Sequence, residues 1–145
     1  MATTAEALLK KKASDVVFSV RPNQTTYEAL QLMAEHDIGA IAVKENGKLL
    51  GILTERDYAR KIVLHGKASR HTPVRETMNV NYPAVTPKTT LDACMRLISE
   101  SRFRYVAVID GERLSGLISI GDIVKHIIAA QQAQLDHLER YISGL

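Results

Sequence analysis

Displaced by 65 residues, this chain falls on itself at eleven of the 43 positions from Val20 to Ile62, without a gap. The identities are Val20/Val85, Pro22/Pro87, Thr25/Thr90, Leu32/Leu97, Glu35/Glu100, Ala42/Ala107, Val43/Val108, Leu49/Leu114, Gly51/Gly116, Asp57/Asp122 and Ile62/Ile127. Conservative pairs fill the intervals, among them Leu30/Met95, Ile41/Val106 and Thr54/Ser119. Self-similarity at a fixed period marks a duplicated supersecondary unit. A unit of about 50 residues buries too little surface to be stable alone, whereas 145 residues make one domain of ordinary size. The two copies therefore have to share a core, and their pairing creates a cleft along a pseudo-twofold axis.

Each copy reads as β-α-β-β-α. A short strand (Val16–Val20; Ala84–Val85) leads through Pro to a Thr that caps a helix, Thr26–His36 or Leu91–Ser101, with apolar residues at helical spacing. Two strands follow, Ala40–Lys44 and Leu49–Thr54, joined through Asn46-Gly47; the second copy has Tyr105–Ile109 and Leu114–Ser119. Helices Glu55–His65 and Ile120–Ala130 close the units. Gly66–Thr72 reads as a linker, and Pro73 opens a short helix through Met78. Thr3-x-x-Glu6 predicts a capping box for a first helix carrying Leu8 and Leu9. Gln131–Ile142 continues helically, its stripe of Leu135, Leu138 and Ile142 expected to pack on the module or on a second chain. The expected fold is α/β (α+β): two pseudo-twofold-related units, small sheets packed together with helices outside, divided as residues 1–72 and 73–145.

The composition, 46% hydrophobic and 24% charged, matches the ~45–50% and ~25% of soluble globular domains and excludes disordered, collagen-like and disulfide-stapled chains. No apolar run approaches the ~18 residues of a membrane span. Met1–Lys12 holds Glu6 and has no apolar stretch of the kind a secretory leader needs, so a cytoplasmic protein is expected. Cys94 is alone and aligns with Ala29 on an inward helix face, the position of a buried, inert thiol. The net charge of +3 is too mild to make nucleic acid a first choice, although the pI near 9.1 keeps it as a rival. The five histidines lack metal-ligand spacing, so no metal is expected. Lys10-Lys11-Lys12 reads as a solvated face.

The chemistry concentrates at the end of the third strand of each copy, in Gly51-Ile-Leu-Thr-Glu-Arg-Asp57 and Gly116-Leu-Ile-Ser-Ile-Gly-Asp122. Thr or Ser three residues before Asp is, by itself, a capping box that satisfies the first N–H groups of a helix. Repeated after an apolar strand, the same box also brings a helix N-terminus suited to phosphate and a carboxylate able to accept from two ribose hydroxyls. The copies differ in charge: Arg56 lies in the first signature where Gly121 lies in the second, and Arg104 corresponds to Gly39. Arginine grips phosphate through two N–H groups at once, which makes Arg56 and Arg104 the leading phosphate partners; Arg102 is a weaker third, read slightly more readily as a solvated surface residue.

These doubled signatures, with Pro22…Thr25 and Pro87…Thr90 before them, resemble the tandem cystathionine-β-synthase-type (CBS) domains of the Bateman module, over about Val16 to Ala130. The run Thr54–Ile62 is similar to bacterial and plant organellar proteins that consist of little else. The resemblance implies regulation rather than catalysis, and adenosine-containing ligands (AMP, ADP, ATP, NAD or S-adenosylmethionine) in the cleft, with no metal required. It implies that Asp57 and Asp122 hold ribose hydroxyls, with Thr54 and Ser119 on ribose or phosphate and Thr25 and Thr90 flanking the sugar. Ile38-Gly39-Ala40 and Phe103-Arg104-Tyr105 would line the base and phosphate region, while Val17 and Tyr82 sandwich the purine. It also implies a homodimer, and an unidentified regulated partner. The rival classes are a nucleotide-hydrolysing enzyme, for which the sequence offers no evident base or carboxylate cluster, and a nucleic-acid-binding protein.

Overall fold

The structure, a computed structural model, describes residues 3–12 and 18–144. Helix α1 (Ala5–Lys11) precedes the first unit, which runs β1 (Ser19–Val20), α2 (Thr26–His36), β2 (Ala40–Glu45), β3 (Lys48–Thr54) and α3 (Glu55–Asp57). The second unit repeats it as β4 (Ala84–Val85), α4 (Leu91–Glu100), β5 (Tyr105–Asp110), β6 (Arg113–Ser119) and α5 (Ile120–Ser143). Val16 and Val17, expected in the first strand, lie outside the described residues.

Local chemistry accounts for these elements. Thr25 and Thr90 sit in extended backbone, and their side chains accept from Glu28 N and Ala93 N at 3.1 and 3.2 Å, capping α2 and α4. The buried residues of α4, Leu91, Cys94 and Ile98, recur at helical spacing. In the first hairpin Asn46 and Gly47 both take positive φ, 53° and 79°, the backbone a tight two-residue turn between twisted strands requires. Each sheet pairs its first strand parallel to its second and its second antiparallel to its third. The register slips between Val43 and Lys44 and again between Val108 and Ile109, so even the bulge obeys the 65-residue displacement.

The central strands are apolar on both faces because both faces are covered. Ile41 and Val43 face α2, and Val106 and Val108 face α4, while Ala42, Ile52, Tyr105, Ala107 and Leu114 meet between the two sheets. The order is helix, sheet, sheet, helix, as the duplication predicts.

The segments that enter each unit cross to the other. Thr72 O accepts from Thr26 N, Val74 N donates to Gln24 O and Arg75 N to Pro22 O, which fastens residues 72–75 to the first unit. Thr3 O accepts from Leu91 N, Ala5 N donates to Thr89 O and Glu6 N to Pro87 O, so α1 is fastened to the second unit by the same three bonds. The two signature glycines receive these segments: a Cβ on Gly51 would lie 2.7 Å from Met78 Sδ, and one on Gly116 would lie 2.8 Å from Leu9 Cδ2. This crossing also corrects the expected cap of α1. Thr4, not Thr3, accepts from Ala7 N, because the backbone of Thr3 is committed to Leu91.

Two helices depart from expectation. The helix after β3 is a single α turn continued by a π-helical stretch, Tyr58–Val63, where Leu64 N donates to Ala59 O at 3.2 Å. Its counterpart α5 is regular and runs for 24 residues. Only its first half packs: Ile120, Ile123 and Ile127 join the core, whereas every described residue from Gln131 onward is exposed. Of the two expected packings for the Leu135, Leu138 and Ile142 stripe, on the module or on a second chain, the one on its own module does not occur: these side chains are 53–60% exposed.

Candidate functional site

Both signatures form complete capping boxes. Asp57 N donates to Thr54 Oγ1 at 3.1 Å while Thr54 N donates to Asp57 Oδ2 at 2.9 Å; the Ser119–Asp122 box matches at 3.1 and 2.9 Å. What lies beside the two carboxylates differs. Asp57 Oδ2 also accepts from Thr54 Oγ1 at 2.8 Å and from the Asn79 amide at 2.7 Å, and Lys61 Nζ approaches Oδ1 at 3.5 Å. The backbone of Asn79 meanwhile pairs with Ile52, donating to its carbonyl at 2.8 Å. In the second unit one group replaces both of these donors. Lys12 Nζ lies 3.0 Å from Leu117 O, the equivalent of Ile52 O, and 3.0 Å from Asp122 Oδ2. The lysine triplet is thus not wholly a solvated face.

A cavity of about 510 Å³ opens beside Asp57, within the range of small-molecule sites. One wall is unit one: Gly39, Ala40, Thr54 and Asp57, with Arg56, Arg60 and Lys61 on the helix that follows. The facing wall is Arg102, Phe103, Arg104, Tyr105 and Ser119 from unit two, and Asn79 and Glu55 complete it. Five cations and two carboxylates line this space, a net +3. That equals the formal charge of the whole chain, so the remaining residues balance and the positive field is concentrated at this cleft. Arg56 Nη1 donates to Arg102 O at 3.3 Å, tying the two walls together. Phe103 and Tyr105 pack edge to face with ring centroids 5.6 Å apart, forming an aromatic floor. The Tyr105 hydroxyl is buried and finds no well-formed hydrogen bond. Burial, and then the Asp57 carboxylate, push its ionisation far above the ordinary phenol value, against an opposing pull from the Asn79 amide.

A pseudo-twofold pair of units meeting at such a cleft is the architecture of a known family, and the CBS domain profile matches residues 12–64 and 74–129. The chain belongs to the CBS-domain family. It is 34% identical to the mitochondrial CBS domain-containing protein CBSX3 of Arabidopsis thaliana over 98% of this chain and 73% of that protein. Identity to the CBS domain-containing protein YhcV of Bacillus subtilis is 33%, over 86% of this chain and 89% of the relative. A solved CBS-domain protein of Burkholderia ambifaria superposes with a TM-score of 0.85 at 45% identity, covering 89% of this chain and 96% of that one. The chain is a paired-CBS regulatory module, and no helix among its described residues is long and apolar enough to cross a membrane.

Within this CBS pair the structure brings together Gly39, Ala40, Thr54, Arg56, Asp57, Phe103, Arg104, Tyr105 and Ser119 around one cavity. The others are not among the residues that line it. Thr25 and Thr90 are occupied as helix caps, and Ile38 packs against the core of unit one. Tyr82 joins the layer between the sheets, where burial raises its phenol. Gly121 and Asp122 do not line the cavity, and Asp122 is paired with Lys12 at 3.0 Å. Val17 lies outside the described residues. The sequence reading missed Arg60, Lys61, Asn79 and Glu55, and it ranked Arg102, which lines the cavity, only as a weaker third phosphate partner. Arg60 and Lys61 carried a signal, standing one turn after Arg56 and Asp57. Asn79 carried none, because its place depends on the crossing of the segment between the units.

Proposed function

We propose that this CBS pair is a sensor that binds an adenosine-containing nucleotide, AMP, ADP, ATP or NAD, in the cavity beside Asp57, one per chain. The observation that carries the reading is the concentration of the chain's net positive charge around a cleft with an aromatic floor and a carboxylate at its edge. Arg56, Arg60 and Arg104 suit the phosphates, which arginine recognises by paired N–H donors. Phe103 and Tyr105 suit the purine face. Oδ2 of Asp57 already serves three donors, whereas Oδ1 has only Lys61 Nζ at 3.5 Å and suits a ribose hydroxyl. Because the walls come from different units, a ligand that bridges them stabilises one relative packing over another, and occupancy is passed to a second copy of the chain or to a regulated protein. The reading carries a cytoplasmic location for this chain, although the relative CBSX3 is mitochondrial.

Calorimetric titration with AMP, ATP and NAD tests it. A stoichiometry of one is expected, with affinity reduced about tenfold to a hundredfold in Arg56→Ala and Arg104→Ala, at the ~1.5–3 kcal/mol of a charge-assisted contact. Asp122→Ala should leave binding intact where Asp57→Ala weakens it. Absence of nucleotide binding, or affinity indifferent to both arginines and Asp57, overturns the assignment.

A further inference from the structure

The C-terminal half of α5 carries a second pattern. Val124, Ile128, Gln131, Leu135, Leu138 and Ile142 follow one another at alternating intervals of four and three residues, the spacing of a coiled-coil seam. The apolar members are 42–60% exposed, on a stripe that borders the one carrying Ile120, Ile123 and Ile127. Gln131, Leu135, Leu138 and Ile142 lie beyond residues 74–129, the second stretch matched by the CBS domain profile. A projecting helix of this length is marginal without a partner, since isolated helices shorter than about 12–15 residues are unstable in water.

We propose that the seam is covered by the same helix of a second copy, running antiparallel. Set antiparallel with residue 133 at the dyad, Val124 meets Ile142, Ile128 meets Leu138, and Gln131 meets Leu135, so every layer has an apolar member. The flanking positions agree: Lys125 lies opposite Glu139 on one side and Ile127 opposite Tyr141 on the other, each pair formed twice by symmetry. A parallel pairing leaves Lys125 and Glu139 about 21 Å apart along the helix, at 1.5 Å per residue, with no opposite charge to meet. Charge complementarity thus selects both the occupant, a copy of itself, and the direction. The inference rests on the self-association in the proposed function but not on its ligand.

Sedimentation equilibrium across micromolar concentrations tests it in the full chain. The parent is a dimer, and Leu135→Glu with Leu138→Glu is a monomer whose nucleotide titration is unchanged, since both residues are exposed and remote from the cavity. Lys125→Glu and Glu139→Lys each weaken the dimer about threefold to tenfold, at the strength of exposed ion pairs lost twice, and the double variant recovers it. A monomeric parent, or a dimer indifferent to the leucine changes, overturns the interface. Charge reversals that fail to rescue each other overturn the antiparallel direction. Loss of nucleotide binding with the dimer intact would fall on the ligand reading alone.

Discussion

Alanine at Gly51 measures how firmly the crossing segments bind the two units. Neither Gly51 nor Gly116 has a positive φ, so alanine meets no backbone strain at either, and the cost is steric. At Gly51 the new methyl would lie 2.7 and 2.8 Å from Met78 Sδ and Cγ and 2.9 Å from Asn79 O. The thioether can turn aside, but Asn79 O cannot move alone, because its peptide exchanges two hydrogen bonds with Ile52 at 3.0 and 2.8 Å. Overpacking of about 1–3 kcal/mol, together with weakening of these bonds at about 1 kcal/mol each, predicts a loss of about 2–4 kcal/mol. At Gly116 the methyl meets only the terminal carbons of Leu9, at 2.8 and 3.2 Å, and a rotamer change limits the loss to about 1 kcal/mol. Thermal unfolding read by circular dichroism compares the two, with a Tm change of about 3 °C per kcal/mol expected for a chain of this size. Because Asn79 also holds Asp57, Gly51→Ala should weaken nucleotide binding and Gly116→Ala should not. Equal stability losses, or a larger loss at Gly116, would refute the fixed Asn79–Ile52 pairing on which the estimate depends.

Three further outcomes follow from the same geometry. Tyr105→Phe removes a buried hydroxyl that has no well-formed partner, so the ligand-free protein should be unchanged or stabilised by up to about 1 kcal/mol in urea titration, while nucleotide affinity falls if that hydroxyl serves the ligand. Lys12→Ala deprives Leu117 O and the partly exposed Asp122 of one shared donor and should cost about 1 kcal/mol, with the loss diminished at high salt. Cys94 is fully buried and its thiol is pushed up by desolvation, so iodoacetamide labelling followed by mass spectrometry should be slow until denaturant unfolds the chain.

Much of the fold was legible because its evidence is local and doubled. The threonine caps, the Asn46-Gly47 turn and the two-sided apolar strands each follow from chemistry confined to a few residues, and each unit corroborates the other. Thr54 and Asp57 were legible for the same reason. The π-helical stretch after Asp57 was not, since its residues satisfy a helical pattern equally well with either hydrogen-bond spacing. Lys12 was read as solvated because three consecutive lysines give no hint that one of them is delivered to Asp122 from 110 positions away.

The amino-acid order alone determined that there are two like units, that they must share a core, and that each ends on a capped helix beside a carboxylate. Tertiary structure decided that those like units are unequal. Internal symmetry is a property of local sequence, but Asn79, which reaches Asp57, and Lys12, which reaches Asp122, arrive on segments crossing from the other half, and at these positions the segments do not repeat each other. An amide supplied by Asn79 leaves an open, cationic cleft at the first carboxylate, whereas an ammonium supplied by Lys12 neutralises the second.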